Sequence, residues 1–323
     1  LMRQGIRNLD FFPVEMLARW DEIFLILSTA EFTIGMLGNA FIGLVNCSEW
    51  IKNQKMSLVD FILTCLAISR IIQLLVSFFQ SFVMVLSVPF YFTWKLAKFI
   101  TLLWRMTNHF TVWFTTCLSV FYLLKIAHFS HSLFLWLKWR MNRVVLAILG
   151  FSLFFLMFDF LLLESFNDFY LKVNVMDESN LTLYINESKS FYFKTLILLS
   201  FSYTIPIVLS LIALVLLFLS LVRHIRNLQL NSMYSSDPST RAHKKAIKMV
   251  ILFLLLFTVH FFSILLTNWM LFIFSNNKFT KFIMLATYVF PSGHSLILIL
   301  GSSKLRQTAL KVLRHLKCAL KRE

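Results

Sequence analysis

Seven long, predominantly apolar runs constrain this chain more than any other feature. They cover 23–45, 59–86, 99–124, 144–163, 191–221, 249–274 and 282–300. A bilayer core takes about 20 residues of helix to cross, and each run has roughly that reach. In hydrocarbon the backbone must satisfy its hydrogen bonds within its own segment, so long runs imply helices, whereas a barrel reads as short alternating segments. The expected fold class is an all-α membrane protein, a seven-transmembrane helix bundle with a C-terminal amphipathic interfacial helix. Composition agrees: 59% of 323 residues are hydrophobic, 14% are charged, and Phe occurs 37 times. Soluble domains carry about a quarter charged residues. Seven Gly and five Pro, without polar low-complexity tracts, exclude collagen-like and disordered classes. A net charge of +16 raises nucleic acid as a partner. The long apolar interruptions argue against any nucleic-acid module and leave membrane lipid as the surrounding partner.

Charge sets the expected orientation. The connections after spans one, three and five, with the C-terminal tail, hold nineteen basic residues against three acids, Glu49, Asp237 and Glu323; the opposite side holds ten basic residues and nine acids. Positive charge stays cytoplasmic, so the protein is expected at the plasma membrane with its N-terminus outside and its C-terminus inside. The organisation is then an extracellular segment over 1–22, a seven-helix domain over 23–301 and a cytoplasmic helix or tail over 302–323. The stretch 1–20 lacks a small-residue cleavage site, so the first span is expected to act as its own insertion signal, with Met16 a candidate start. Two glycosylation sequons, Asn180-Leu181-Thr182 and Asn186-Glu187-Ser188, fall in the long polar connection after span four, on the expected outside. A third match at Asn46 lies at the inner end of span one and is expected to stay unmodified.

Beyond Gly301, residues Leu305, Ala309, Val312, Leu313, Leu316 and Leu320 fall on one helical stripe, with Lys304, Lys311, Arg314 and Lys317 elsewhere. That pattern describes a basic helix lying on the inner leaflet; the alternative is a frayed basic tail drawn to acidic lipid.

Polar groups inside spans need a partner or a purpose, because an ionisable one costs roughly 2.5–3.5 kcal/mol on insertion. Arg70 sits mid-span in Leu66-Ala67-Ile68-Ser69-Arg70, with Asn39 and the Ser292 to Ser295 segment as candidate partners. It reads either as a buried strut between helices or as a moving switch. Trp104 and Asn108 are four residues apart on span three and share a face, an aromatic wall beside an amide; the alternative places Trp104 in the interfacial aromatic belt. His260 is a lone polar side chain in span six, either a ligand contact or an interhelical hydrogen-bonding group. Pro206 and Pro291 allow kinks in spans five and seven.

Catalytic and cofactor signatures are missing. Cys47, Cys65, Cys117 and Cys318 match neither an extracellular disulfide framework nor a zinc spacing, and no phosphate loop, HExxH or nucleophile elbow occurs. No cofactor, metal or enzyme activity is expected. The one catalytic-looking fragment is Gly293-His294-Ser295, similar to the Gly-x-Ser of intramembrane serine proteases, which needs a base such as His260.

The motifs narrow the class. Gly38-Asn39-Ala40-Phe41-Ile42 stands in span one and Leu66 to Arg70 in span two. Phe121-Tyr122-Leu123-Leu124-Lys125-Ile126-Ala127 closes span three and continues to Phe134-Leu135-Trp136-Leu137-Lys138-Trp139-Arg140. Asp237-Pro238-Ser239-Thr240 follows with His243, and His294-Ser295-Leu296-Ile297-Leu298 runs into Lys304-Leu305-Arg306-Gln307. In this order they resemble the type 2 (bitter) taste receptors, a family of G-protein-coupled receptors, over nearly the whole length from Met16. The Asp-Arg-Tyr and Asn-Pro-x-x-Tyr motifs of rhodopsin-like receptors do not occur at the corresponding places, and vomeronasal type 1 pheromone receptors are the alternative.

The resemblance implies a receptor for small bitter agonists that activates a heterotrimeric G protein of the gustducin/Gi type. It places the agonist among Trp104, Asn108, His260, Met284 and Thr287. It places an inner switch on Asn39, Arg70, Tyr122, Lys125, His294 and Ser295.

Overall fold

A computed structural model describes the backbone of residues 14–86, 90–175, 181–230, 238–273 and 278–320. Nine helices occupy these residues: α1 (Val14–Asn53), α2 (Leu58–Leu86), α3 (Phe90–Ile126), α4 (Ser132–Trp139), α5 (Met141–Val175), α6 (Leu181–Leu230), α7 (Pro238–Ile273), α8 (Lys278–Gly301) and α9 (Ser303–Leu320). Seven of them, all but α4 and α9, are long and apolar enough to cross a membrane. The protein is a multi-pass bundle with its seven spans where the hydrophobic runs place them.

Local chemistry sets the breaks. Gln54 takes φ 50°, and its amide donates to the Trp50 carbonyl at 2.8 Å, the left-handed cap that terminates α1. Ser57 then opens α2: its Oγ accepts from the Asp60 amide at 3.1 Å and donates to the Asp60 carboxylate at 2.6 Å. This is a serine N-cap, with the Asp60 carboxylate holding the capping hydroxyl in place. His131 starts α4 by accepting the Leu133 amide at its Nδ1. Helix α4 is an element that periodicity missed, because eight residues are too few to show a helical stripe. The long helix α6 begins at Leu181, so Asn186 lies on helical backbone where a loop was expected; Asn180 lies outside the described residues.

The spans close into a ring, with α1 packed on α2 and α8, α3 on α2, α5 and α6, and α7 on α6 and α8. Helix α3 is central, with 72% of its spanning window buried, while α5 has 11% buried and turns most of its surface outward. Four buried clusters lie among the described residues of the interior, the smallest of them Phe24, Met284 and Tyr288. One joins α1, α2, α3, α5, α8 and α9 through Ile42, Ile62, Leu66, Phe121, Val145 and Leu305. A second joins α3, α6, α7 and α8 through Val112, Tyr203, Phe257 and Phe290. A third joins α3 and α6 near α4.

Helix α9 enters that interior with the first residue of its expected stripe. Leu305 is 1% exposed, whereas Val312 and Leu313 remain exposed and available to a lipid surface. An ionic node pins its start: Lys304 Nζ meets Glu49 at 2.5 Å, Asp60 at 3.1 Å and Asn46 Oδ1 at 3.2 Å. Burial alone pulls the Lys304 ammonium down, but the hydrogen bonds and charges of Glu49 and Asp60 outweigh it and raise it above its ordinary value. Asn46, the third sequon position, is buried in this node.

Candidate functional site

A continuous polar layer crosses the middle of the bundle, built on α2, α3, α1 and α8. At its centre Arg70 is fully buried. Its Nη2 donates to His294 Nδ1 at 2.5 Å and to Thr115 Oγ1 at 3.3 Å, and its guanidinium carbon lies 5.2 Å from the Phe290 ring centroid. Arginine has only donors, so His294 Nδ1 must accept and its proton resides on Nε2. Among the described residues no carboxylate pairs with Arg70. A lone buried cation is held here by a neutral imidazole, a hydroxyl and an aromatic face, the last worth up to about 2 kcal/mol when desolvated. Its Nε and Nη1 remain without a protein partner.

Asn39 reaches the same segment of α8 from α1. Its Nδ2 donates to the Gly35 carbonyl at 2.8 Å, to the Pro291 carbonyl at 3.2 Å and to Ser295 Oγ at 3.5 Å. Ser295 Oγ itself donates to the Ser292 and Pro291 carbonyls at 2.7 and 3.1 Å. The close approach depends on glycine: a Cβ on Gly38 would stand 2.9 Å from Ser295 Oγ. Of the two partners expected for Arg70, the α8 segment supplies one through His294, while Asn39 bonds to the neighbouring carbonyls instead. Both nitrogens of His260 lack a hydrogen-bond partner, so the Ser295–His260 pair a protease would need is not formed.

One turn further from α9, a second set of groups links α2 to α3. Gln73 Nε2 donates to Asn108 Oδ1 at 2.6 Å, Thr111 Oγ1 donates to Gln73 Oε1 at 2.9 Å, and Ser69 and Thr111 hydroxyls lie 3.4 Å apart. Asn108 is fully buried with its Nδ2 unpartnered. Trp104, one turn along the same face, is 7% exposed, which places it inside the bundle and not in an aromatic belt. His260 of α7 stacks on Phe290 with centroids 4.4 Å apart, and Thr287 lies 3.4 Å from Thr267. Met284 packs instead with Phe24 of α1 and with Tyr288. Trp104, Asn108, Met284 and Thr287 thus lie beyond the Arg70 layer, with Met284 turned toward α1 and Thr287 toward α7, whereas His260 stacks on the Phe290 ring that Arg70 also faces and belongs to that layer.

Tyr122 and Lys125 stand at the α9 end of α3. Tyr122 packs into the interior clusters there, while Lys125 is exposed with its Nζ 5.5 Å from the Phe121 centroid. Sequence reasoning missed Gln73, Thr111, Thr115 and Phe290. Their signal was available in part: Ser69, Arg70 and Gln73 are spaced for one face of α2, and Asn108, Thr111 and Thr115 for one face of α3.

Comparison with known proteins converges on one family. The family profile described as "Taste receptor protein (TAS2R)" matches residues 16–317. Taste receptor type 2 member 42 of Pongo pygmaeus is 59% identical over 300 residues, 92% of this chain and 95% of the relative. The Homo sapiens protein of the same description is 58% identical over 305 residues, 94% of this chain and 96% of its own. Taste receptor type 2 member 7 of Macaca mulatta is 43% identical over 299 residues, 92% and 94% of the two chains.

Proposed function

The chain belongs to the TAS2R taste receptor family, and from that premise we propose that it is a bitter taste receptor that binds small bitter molecules and activates a gustducin/Gi-type heterotrimeric G protein. The single observation that carries this reading is similarity along almost the entire chain to taste receptors type 2. The polar architecture supports it. Asn108 presents an unpartnered amide nitrogen beside Trp104, an anchor and a wall of the kind small-molecule pockets use. Its oxygen is held by Gln73, which leads through Thr111 to Ser69, the neighbour of Arg70. A ligand that draws on Asn108 therefore pulls on the α2–α3 interface next to Arg70, biasing the arrangement that the opposite end offers to the G protein. His260 and Thr287 join the ligand set, Met284 backs it from its packing against Phe24, and Asn39, Tyr122, Lys125, His294 and Ser295 join Arg70 in transmission.

A panel of chemically diverse bitter compounds, read out as nucleotide exchange on a gustducin-type G protein, is expected to yield agonists. Asn108→Ala should then weaken the potency of a hydrogen-bonding agonist roughly five- to tenfold, the worth of one net hydrogen bond. Silence across the panel, with the receptor at the cell surface, refutes the function; unchanged potency in Asn108→Ala removes that residue from the pocket.

We also assign the N-terminus to the exterior and α4 and α9 to the cytoplasm, on the sign of charge at the two ends. Glycosidase treatment is expected to increase the mobility of surface receptor, and Asn180→Gln with Asn186→Gln to abolish that change. A C-terminal epitope that stains unpermeabilised cells would invert the topology.

A further inference from the structure

The corner between α4 and α5 carries an arrangement that neither agonist binding nor the Arg70 layer uses. Helix α4 has no buried residue, and Leu133, Leu135, Trp136 and Trp139 are exposed by 59%, 53%, 48% and 81%. Arg140, which caps the helix, lies with its guanidinium carbon 4.9 Å from the Trp136 centroid and 5.7 Å from that of Trp139. Contact with two indoles holds the planar cation in one orientation, and a guanidinium so held offers its N–H edge to an acceptor. An open surface groove of about 480 Å³ lies here, lined by Lys138, Trp139, Arg140, Met141, Asn142 and Arg143. Lys138 is already engaged, donating to the Ala127 carbonyl at 2.9 Å. Arg140 and Arg143 have no acidic partner among the described residues.

The position of Arg143 identifies what covers this corner. At 100° per residue it lies on the same stripe of α5 as Phe154, Met157 and Leu161, which are 65%, 62% and 65% exposed. That stripe belongs to the helix with the least burial of the seven spans and faces hydrocarbon. Arg143 therefore stands in the first turn below a lipid-facing surface, at headgroup depth, with the exposed Trp139 next to it at the height where indoles prefer to sit.

We propose that this corner is a binding site for an anionic phospholipid, its phosphate held by Arg140 and Arg143 with Asn142, its glycerol against Trp139 and its chains along the outward stripe of α5. Two guanidiniums without acid partners select an anionic headgroup over a zwitterionic one. The orientation reading decides only which leaflet supplies the lipid, and the test below uses symmetric bilayers, so a wrong topology leaves its result intact.

Full-length receptor is placed in nanodiscs of phosphatidylcholine with a minority of phosphatidylinositol bisphosphate, and retained lipid is counted by native mass spectrometry. Wild type is expected to retain the anionic lipid. Arg140→Gln with Arg143→Gln should lower retention about tenfold or more, the scale of a lost charge-assisted contact. Arg143→Gln alone, at an exposed position that folding tolerates, should lower it severalfold. Lys311→Gln with Arg314→Gln in α9 should leave it within twofold; an equal loss there means diffuse charge attraction and overturns the site. Unchanged retention in both Arg variants also overturns it. So does unchanged retention with weaker nucleotide exchange in pure phosphatidylcholine discs, which assigns the corner to G-protein docking.

Discussion

Arg70→Ala is expected to abolish agonist-stimulated nucleotide exchange at matched surface expression. The side chain ties α2 to both α3 and α8, through Thr115 and His294. Its removal leaves His294 Nδ1 a buried acceptor without a donor, at about 1–3 kcal/mol. It also relieves the bundle of a cation without a carboxylate partner among the described residues, so the fold survives better than the signal does. The link from the α2–α3 interface to α8 that runs through the cation is lost with it, leaving Tyr288 bonded to the Ser77 carbonyl further along α2, and a ligand can shift an equilibrium only through contacts that differ between its states. Agonist binding measured alongside exchange separates the two readings of this residue. Retained binding with lost exchange identifies a switch, loss of both with the receptor at the surface identifies a strut, and wild-type exchange removes Arg70 from the mechanism. Arg70→Lys should recover exchange only in part, because an ammonium can donate to His294 and Thr115 as Nη2 does but lacks the planar guanidinium that faces the Phe290 ring.

Gly35→Val should all but eliminate surface receptor. A Cβ at Gly35 would stand 2.6 Å from Ser292 Oγ and 2.7 Å from Leu74 Cδ1, atoms on α8 and α2 respectively. Ser292 cannot swing aside freely, since its hydroxyl donates to the Glu31 carbonyl at 3.0 Å and to the Tyr288 carbonyl at 3.3 Å. The valine must push α1 off two helices at once, and overpacking a close contact typically costs about 1–3 kcal/mol before the hydrogen bonds are counted. That loss also opens Asn39, one turn further, from its bond to the Pro291 carbonyl. Gly150→Ala is the control, for nothing lies within 4 Å of its Cβ position. It should leave surface level equal to or above wild type, as alanine favours helix by about 1 kcal/mol. Equal surface levels for both variants would mean that α1 has room the structure denies it.

The spans were legible because hydrocarbon imposes a length and a solvation rule that each segment obeys by itself. Positive charge and sequons supplied an orientation on the same local terms. The Arg70 layer was legible only in part. An arginine inside an apolar run announces that it needs something, and Ser292 to Ser295 was a fair guess at where. That His294 supplies the acceptor, that Phe290 supplies the aromatic face, and that Asn39 bonds to the Pro291 carbonyl follow from how three helices rotate about their axes. Rotation is fixed by packing partners distant in sequence. Met284 illustrates the same gap: its place in the chain puts it near Thr287, yet it packs on Phe24 of α1 while Thr287 meets Thr267 of α7.

Helix α4 failed to announce itself for a different reason. Its eight residues carry Leu, Phe and Trp on several sides with no buried face, so periodicity has nothing to detect. Only its placement beside the outward stripe of α5 gives its tryptophans and arginines a common surface. By itself, then, the sequence determined what must be dissolved in lipid, how its charge is shared between the connections and which family it joins, because these depend on what each segment carries. The tertiary structure alone decided which polar group answers which, because a buried donor is satisfied by whatever the neighbouring helix turns toward it, and no segment encodes its neighbour's rotation.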